Sequence, residues 1–157
     1  MSVMKEDKKE LSVAAICNGT VIDHIPPDKL FNVASLLHLE DATAPITIGN
    51  NFAGHKQGKK GIIKIADRFF EDDILNRIAL VAPNVTLNII KEYKVVEKKR
   101  VDRPKEVIGI VRCPNAKCIT NNEPMPTRFE SVADGTEEVL VCSYCGRKVK
   151  DEQIELQ

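Results

Sequence analysis

The sequence predicts an α+β protein in two parts. An N-terminal ferredoxin-like split βαβ sheet with two helices is expected to precede a small C-terminal all-β domain of the zinc-ribbon type. Apolar residues with a two-residue period and with a helical period alternate along the first two thirds of the chain. Two close cysteine pairs occupy the last third. We therefore predict domains over residues 1–104 and 105–157.

The two-residue period predicts a first strand at residues 11–17. Asn18 and Gly19 follow as a turn signal. Residues 20–25 are expected to form a short extended segment, which ends at two prolines.

Two helices are predicted, each with one apolar stripe. The first runs from an N-cap at Asp28 to about Leu39. The second begins with the three carboxylates of residues 71–73, which the helix macrodipole favours in a first turn, and ends before Pro83. The stripes consist of Leu30, Val33, Ala34 and Leu37 in the first helix and of Ile74, Leu75, Ile78 and Val81 in the second.

Further strands are predicted at residues 46–51, 62–66 and 85–90, with a glycine- and lysine-rich hairpin loop at 54–61. Residues 93–96 either extend the last strand or form a fifth one. The order of elements predicts a four-stranded antiparallel sheet with both helices on one face. Residues 98–106 carry seven charged side chains in nine positions, which predicts a linker or exposed hinge.

Four cysteines of the last third are spaced as metal ligands. Cys113 and Cys118 enclose four residues, Cys142 and Cys145 enclose two, and 23 residues lie between the pairs. Two such knuckles supply four thiolates at the ~2.3 Å that a tetrahedral Zn²⁺ requires. Because four thiolates close the coordination shell, we predict one structural zinc ion per chain.

The alternatives to a metal site are a disulfide-stapled domain and four unrelated buried thiols. Disulfides are disfavoured because no signal peptide precedes the chain and Cys17 makes the cysteine count odd. Cys17 lies in an apolar run and is expected to be a small core residue. Reduced thiols without a targeting segment predict a cytoplasmic protein.

Composition narrows the function classes. A formal net charge of zero argues against phosphate-backbone binding as the main role, and the longest apolar runs are too short to cross a bilayer. No nucleophile-elbow, zinc-protease or Walker-type motif occurs, and His24, His38 and His55 lack metal or catalytic spacing. We therefore expect no catalysis, no nucleic acid and no membrane.

Polar residues interrupt the apolar strands of the first domain. They are Asp23, His24, Lys64, Asn88 and Lys98. On a helix-free sheet face, two lysines and an imidazole would suit a phosphate chain, and a carboxylate would suit a ribose hydroxyl. The alternative is that they are ordinary solvent-facing residues, and spacing alone favours that alternative.

Five motifs occur together in this chain. They are GTVIDHIP at 19–26, ITIG at 46–49, IKI at 63–65, CPNxxC at 113–118 and CxYC at 142–145. Together they closely resemble the regulatory chain of aspartate carbamoyltransferase, from about Leu11 to the C-terminal tail. The resemblance implies a non-catalytic subunit whose first domain binds CTP, ATP or UTP and whose zinc domain grips the catalytic chain. In such enzymes, regulatory homodimers bridge catalytic trimers, which condense carbamoyl phosphate with aspartate at the entry to pyrimidine synthesis.

The resemblance also implies site residues. The base is expected against the backbone of Val13, Ala14, Ala15 and Ile16 and near Ile90 and Tyr93, with Asp23 and Lys64 at the ribose and base. His24, Asn88, Val95 and Lys98 are expected along the phosphates. Asn115 is expected to face the catalytic chain. Members of the family carry an acidic residue in place of Ala14, so Ala14 is expected to change which nucleotide is preferred or how strongly its signal is transmitted.

A zinc-ribbon nucleic-acid-binding protein is the alternative function. RNA-binding sheets of the split βαβ type stack bases on exposed aromatic side chains. The candidate strands offer aliphatic residues, Lys64 and Asn88 instead. A gel shift with RNA or DNA is therefore expected to show no binding.

Overall fold

The computed structural model describes residues 15–53 and 58–157, which form two antiparallel sheets in succession. The strands of the first sheet are β1 (Gly19–Ile25), β2 (Ile46–Ala53), β3 (Lys59–Ala66), β4 (Thr86–Lys91) and β5 (Lys94–Arg100). The helices are α1 (Leu30–Leu36), between β1 and β2, and α2 (Asp72–Val81), between β3 and β4. The strands of the second sheet are β6 (Glu106–Ile108), β7 (Arg128–Asp134), β8 (Glu137–Cys142) and β9 (Lys148–Val149). Single 3₁₀ turns lie at Pro27–Lys29, Leu39–Asp41, Ile119–Asn121 and Asp151–Gln153.

The first sheet has the strand order β2-β3-β1-β4-β5, with every neighbouring pair antiparallel. Ile22 and Ile63 of its central strands are fully buried in one cluster with Val33 of α1 and Ile78 of α2. Both helices therefore cover the same face, as the apolar stripes predict, and the α+β class is confirmed. No helix in the described part of the chain is long and apolar enough to span a bilayer.

The first strand differs from the prediction. Residues 15–18 contain no strand, residues 11–14 lie outside the described residues, and the sheet begins at Gly19. Gly19 has a φ of 141°, and a Cβ there would lie 2.1 Å from the carbonyl oxygen of Ile65. The close approach of β3, and not a turn, therefore requires this glycine.

The ends of α1 also differ from the prediction. Asp28 lies in a 3₁₀ turn, where Lys29 N donates a hydrogen bond to Pro26 O at 2.9 Å, and Lys29 takes the N-cap position. The two prolines start this tighter turn because their φ is already fixed in the helical range. His38, with a left-handed φ of 50°, then separates α1 from the next 3₁₀ turn.

Two strands extend beyond their sequence patterns. β3 begins at Lys59, so Lys59 and Lys60 belong to the sheet, whereas loop residues 54–57 lie outside the described residues. Residues 94–100 form a fifth strand after a turn at Glu92 and Tyr93, whose φ values are 51° and 65°. Two positive φ values suit the tight turn of a two-residue hairpin. Among the described residues the sheet therefore has five strands, so residues 94–100 form the separate fifth strand that the sequence had left open.

The four cysteines lie at the end of β8 and in the connections between strands of the second sheet, as the zinc-ribbon prediction requires. β7 and β8 form a hairpin that turns at Gly135, the position of the predicted turn signal. Phe129 and Leu140 are fully buried, and they pack in one cluster with Cys113, Cys118 and Cys142. This core is small, so the cysteine centre forms a large part of it.

The segment between the sheets is anchored at both ends. Val101 is 6% exposed, and its N–H donates to Val85 O at 2.9 Å. On the other side, Ser131 of β7 donates its hydroxyl to Pro104 O and its N–H to Lys105 O, both at 2.8 Å. The domain boundary at 104/105 and the hinge at 98–106 stay predictions, although the first three residues of that hinge lie in β5.

Candidate metal centre and anion-binding face

The four sulfurs of Cys113, Cys118, Cys142 and Cys145 all lie within 4.8 Å of one another. The Cys113–Cys145 and Cys118–Cys142 sulfur distances are 3.6 and 3.8 Å. A tetrahedral ion with metal–sulfur bonds of about 2.3 Å places its sulfurs about 3.8 Å apart, whereas a disulfide needs about 2.05 Å. The geometry therefore fits one metal ion held by four cysteines.

Backbone N–H groups of both knuckles point at the sulfurs. The N–H of Asn115 hydrogen bonds to the sulfur of Cys113, and the N–H groups of Tyr144 and Cys145 hydrogen bond to that of Cys142. Gly146 closes the second knuckle with a left-handed φ of 76°. These donors stabilise thiolates, which are the form of cysteine that binds a metal.

The thiols differ in their tendency to ionise. Burial raises the pKa of Cys113 to about 12 and also raises the pKa of Cys142. Burial also acts to raise the pKa of Cys145, but hydrogen bonds from the N–H of Arg147 and from the Asn115 side chain lower it to about 6. Among Cys113, Cys142 and Cys145, Cys145 is therefore the thiol that ionises most readily.

Asn115 is half-buried inside the first knuckle. Its Oδ1 accepts a hydrogen bond from Lys117 N at 3.1 Å, and its side chain also contacts Cys145. The exposed apolar residues Ile119 and Tyr144 lie on the first and second knuckles, at 50% and 47% exposure. Contact of Asn115 with a partner chain stays a prediction.

Three of the predicted nucleotide contacts lie in one row across the helix-free face. Val21 of β1 is the direct cross-strand partner of Lys64 on β3 and of Asn88 on β4, and Asn88 in turn pairs with Lys98 on β5. Directly paired residues of antiparallel strands point to the same face, and the row spans three strand spacings, or about 14 Å. The sheet thus brings together two cations and an amide that are far apart in sequence.

A β-bulge sets the next part of the face. The pairing of β1 with β3 shifts between Ile22 and Ile25, which releases Asp23 and His24 from the regular pattern. Asp23 accepts a hydrogen bond from His24 N at 2.7 Å, and Lys60 Nζ lies 2.9 and 3.1 Å from its two oxygens. The Asp23 and Lys60 side chains are only 19% and 23% exposed, so the pair is partly protected from solvent.

The β4–β5 turn lies against the segment that precedes β1. Tyr93 N donates to Cys17 O at 2.9 Å, and Glu92 N donates to Asn18 Oδ1 at 3.2 Å. Ile90 lies on the same face as Asn88 and pairs with Val95. Ala15 and Ile16, immediately before this contact, therefore lie on the same side of the molecule as Ile90 and Tyr93. Val13 and Ala14 lie outside the described residues.

Two cationic residues, Lys60 and Arg100, were not assigned to this face from the sequence. Lys60 is four residues before Lys64 in β3 and so shares its face, but it was assigned to the hairpin loop. Arg100 pairs with Thr86 and shares the face of Lys98. Strand alternation counted back from Lys64 and forward from Lys98 would have found both. Cys17, expected in the core, is exposed.

The lowered pKa of Lys64 predicts how the free energy of unfolding depends on pH. Burial lowers its pKa from the usual 10.5, and the Asp23 carboxylate opposes this shift. The lysine therefore destabilises the fold below its lowered pKa, and this cost disappears as the pH rises through that pKa toward the usual value. Lys64→Met is expected to have a larger free energy of unfolding than the wild type at neutral pH, with a gap that narrows at alkaline pH.

Urea unfolding at neutral pH and at a series of alkaline pH values measures this gap. The control is Lys99→Met, because Lys99 pairs with Leu87 and points to the opposite face. A gap for Lys64→Met that is constant with pH would contradict the prediction.

These features define a class: a chain in which four cysteines next to one sheet could hold a metal ion, and in which a row of basic and polar side chains lies on the helix-free face of the other sheet. Sequence comparison divides the chain in the same way. The family described as "Aspartate carbamoyltransferase regulatory chain, allosteric domain" matches residues 11–102, and "Aspartate carbamoyltransferase regulatory chain, metal binding domain" matches residues 105–155.

The chain is similar to known proteins over almost the whole length of both sequences. An aspartate carbamoyltransferase regulatory chain of Porphyromonas gingivalis is 60% identical over 149 residues, which cover 95% of this chain and 98% of the relative. That of Parabacteroides distasonis is 61% identical, covering 95% and 96%. That of the archaeon Pyrococcus abyssi is 44% identical, covering 92% and 96%. The chain therefore belongs to the family of aspartate carbamoyltransferase regulatory chains, and it is a non-catalytic regulatory subunit with an allosteric domain and a metal-binding domain.

Proposed function

We propose that the helix-free face of the first sheet binds nucleoside triphosphates (CTP, ATP or UTP) and that this binding controls the activity of catalytic trimers in pyrimidine synthesis. The row of Lys64, Asn88 and Lys98 across three strands carries the proposal. Further basic groups near this row are Lys60, Arg100 and His24. The carboxylate of Asp23 lies within 4 Å of both Lys60 and His24. A face with several cations and one carboxylate suits a polyphosphate attached to a ribose.

The two ends of the face suit different parts of a nucleotide. Tyr93 and Val95 are 69% and 57% exposed and offer apolar surface to a base, next to the buried Ile90. Asp23 is already hydrogen-bonded to Lys60, so a ribose hydroxyl would join or replace that lysine. Lys98 and His24 are then available to bind the phosphates, and Asn88 of β4 lies next to Lys98 on the same face.

The metal of the second domain is proposed to be one zinc ion. Four thiolates in a tetrahedral arrangement suit Zn²⁺ or iron, and a closed shell gives the ion a structural role. Metal analysis of the purified chain is expected to find one zinc per chain and no visible absorption from iron.

The knuckles are proposed as the surface that docks the catalytic chain. Ile119 and Tyr144 are large and exposed and each is a direct neighbour of a cysteine in the sequence, and the Asn115 side chain inside the first knuckle contacts Cys145. Apolar residues held by a rigid metal centre form the kind of patch that partner chains cover.

A homodimer of regulatory chains is proposed to form through β2. Within the described residues β2 is an edge strand, and its eight residues include no charged side chain. The opposite edge, β5, carries Lys94, Lys98, Lys99 and Arg100, and such charges disfavour strand pairing.

The thiolate centre is consistent with a reducing compartment, and we propose the cytoplasm.

Titration of the full chain with CTP, ATP and UTP by calorimetry tests nucleotide binding. Co-purification with catalytic trimers, with and without a zinc chelator, tests docking. We expect binding of at least one triphosphate, and loss of the trimers after chelation. Binding of RNA in the absence of any triphosphate binding would contradict the proposal and favour the nucleic-acid alternative.

A further inference from the structure

The two domains meet at the C-terminal half of α2, where Leu80 packs in the core of the metal domain and Arg77 Nη1 donates to Gln157 O at 2.9 Å. Among the described elements, no strand or helix of the first sheet lies along one of the second. Grooves of about 310 and 530 Å³ open on either side of their junction, and both are lined by Pro83 and Asp151. The relative orientation of the domains must therefore depend on a few specific residues.

Arg103 lies at the centre of this junction. Its side chain is only 4% exposed, although the linker around it is rich in charges. Its Nη2 lies 2.8 Å from Asp151 Oδ1 and 3.4 Å from Leu80 O at the end of α2, and its Nη1 lies 3.3 Å from Glu138 O in β8. One guanidinium thus joins the linker, the helix of the first domain and two segments of the second.

The acceptors suit a guanidinium group. Leu80 O belongs to the last turn of α2, where the helix macrodipole favours a cation. A planar fork can meet acceptors in several directions at once, which a lysine cannot do. Leu80 also contributes its side chain to the core of the metal domain, so both contacts act at the same point of α2.

Arg103 is connected to β5 by a short stretch of chain. Arg103 follows the last residue of β5 by three positions, and the intervening Val101 is fixed to Val85 and to Asn84 by backbone hydrogen bonds. Only Asp102 separates the anchored Val101 from Arg103, so a displacement of Lys98 along β5 would reach Arg103 through a few residues.

We propose that Arg103 is an interdomain clasp that fixes the orientation of the metal domain, and that movement of β5 is transmitted to the metal domain through it. The second half rests on the proposed function, because it requires a ligand on β5. The first half does not. Arg103 is a positioning residue, since it touches neither the cysteines nor the proposed nucleotide.

Hydrogen exchange on the full chain tests the clasp. Arg103→Met and Asp151→Asn are expected to accelerate exchange of the four amides in residues 101–105 (Pro104 has none) on the order of tenfold to a hundredfold, because charge-assisted hydrogen bonds hold this segment. Arg103→Lys, which keeps the charge but not the fork, is expected to fall between Arg103→Met and the wild type. The matched control is Arg112→Met, because the Arg112–Glu155 pair is exposed at 58% and 69%.

A second readout separates transmission from stability. Saturating CTP or ATP is expected to change the exchange of β8 in the wild type and in Arg112→Met, but not in Arg103→Met, which still binds the nucleotide by calorimetry. Exchange at 101–105 as slow as in the wild type, in both Arg103→Met and Asp151→Asn, would overturn the clasp. A nucleotide-induced change in the exchange of β8 that is as large in Arg103→Met as in the wild type would overturn transmission. If Arg103→Met loses its metal, Asp151→Asn decides, because the Asp151 side chain is 58% exposed and its loss leaves the core intact. If the wild type binds neither nucleotide, the proposed function fails, and exchange at 101–105 still decides on the clasp.

Discussion

Cys142→Ser is expected to abolish metal binding and to unfold the second domain while the first sheet remains folded. The Cys142 sulfur is one of four that meet at the metal, and three of the four cysteines belong to a core with few large side chains. Structural zinc contributes ~10–16 kcal/mol to the folding of small peptides at neutral pH, and a domain of this size cannot replace that by apolar burial. Metal content and hydrogen exchange of β6 to β9 measure the effect.

Cys17→Ser is the matched control for this substitution. Cys17 is exposed and lies in the first domain, so its variant should keep the metal and the exchange pattern. Nucleotide titration of Cys142→Ser is a further check, because the two sites lie in different sheets. A folded second sheet in the metal-free variant would disprove a structural role for the metal.

Lys98→Ala is expected to weaken binding of CTP or ATP by about tenfold to a hundredfold, whereas Lys99→Ala leaves it unchanged. The two lysines are adjacent, exposed and equally charged, but Lys98 pairs with Asn88 on the helix-free face and Lys99 pairs with Leu87 on the other. A hydrogen bond to a charged group is worth about 1.5–3 kcal/mol, which gives the expected factor. Calorimetry at fixed ionic strength measures both variants.

The comparison distinguishes a defined site from general electrostatic attraction. If both lysines acted only through net charge, the two variants would lose affinity equally, and added salt would abolish the difference from the wild type. Equal losses would therefore remove the helix-free face as the nucleotide site. A loss confined to Lys99→Ala would move the site to the helix side.

Allosteric control by this chain requires a difference in affinity between two states of the whole enzyme. A nucleotide shifts an equilibrium only if it binds one quaternary state more tightly, and typical coupling free energies are about 1–3 kcal/mol. The domain junction, where Arg103 joins α2 to the metal domain, is the element that we propose to differ between two such states.

The sequence by itself determined the metal centre and the layer order. Cysteine ligands lie in two short knuckles, so their spacing along the chain nearly fixes their spacing in space. The stripes of α1 and α2 are also local, because helix faces follow from a 3.6-residue period. The polar residues Asp23, Lys64, Asn88 and Lys98 were also found from the sequence, because they interrupt apolar strands. Their spacing alone did not distinguish a binding site from a solvent-exposed face.

Only the tertiary structure decided which residues meet. Cross-strand register placed Lys64, Asn88 and Lys98 in one row, and the bulge at Asp23 put its carboxylate against Lys60. Gly19 looked like a turn but begins the central strand, because the constraint on it comes from the distant Ile65. Arg103 looked like part of a solvated linker, yet its partners Leu80, Glu138 and Asp151 lie far away in sequence. In each case the deciding contact is long-range, so no local pattern along the chain encodes it.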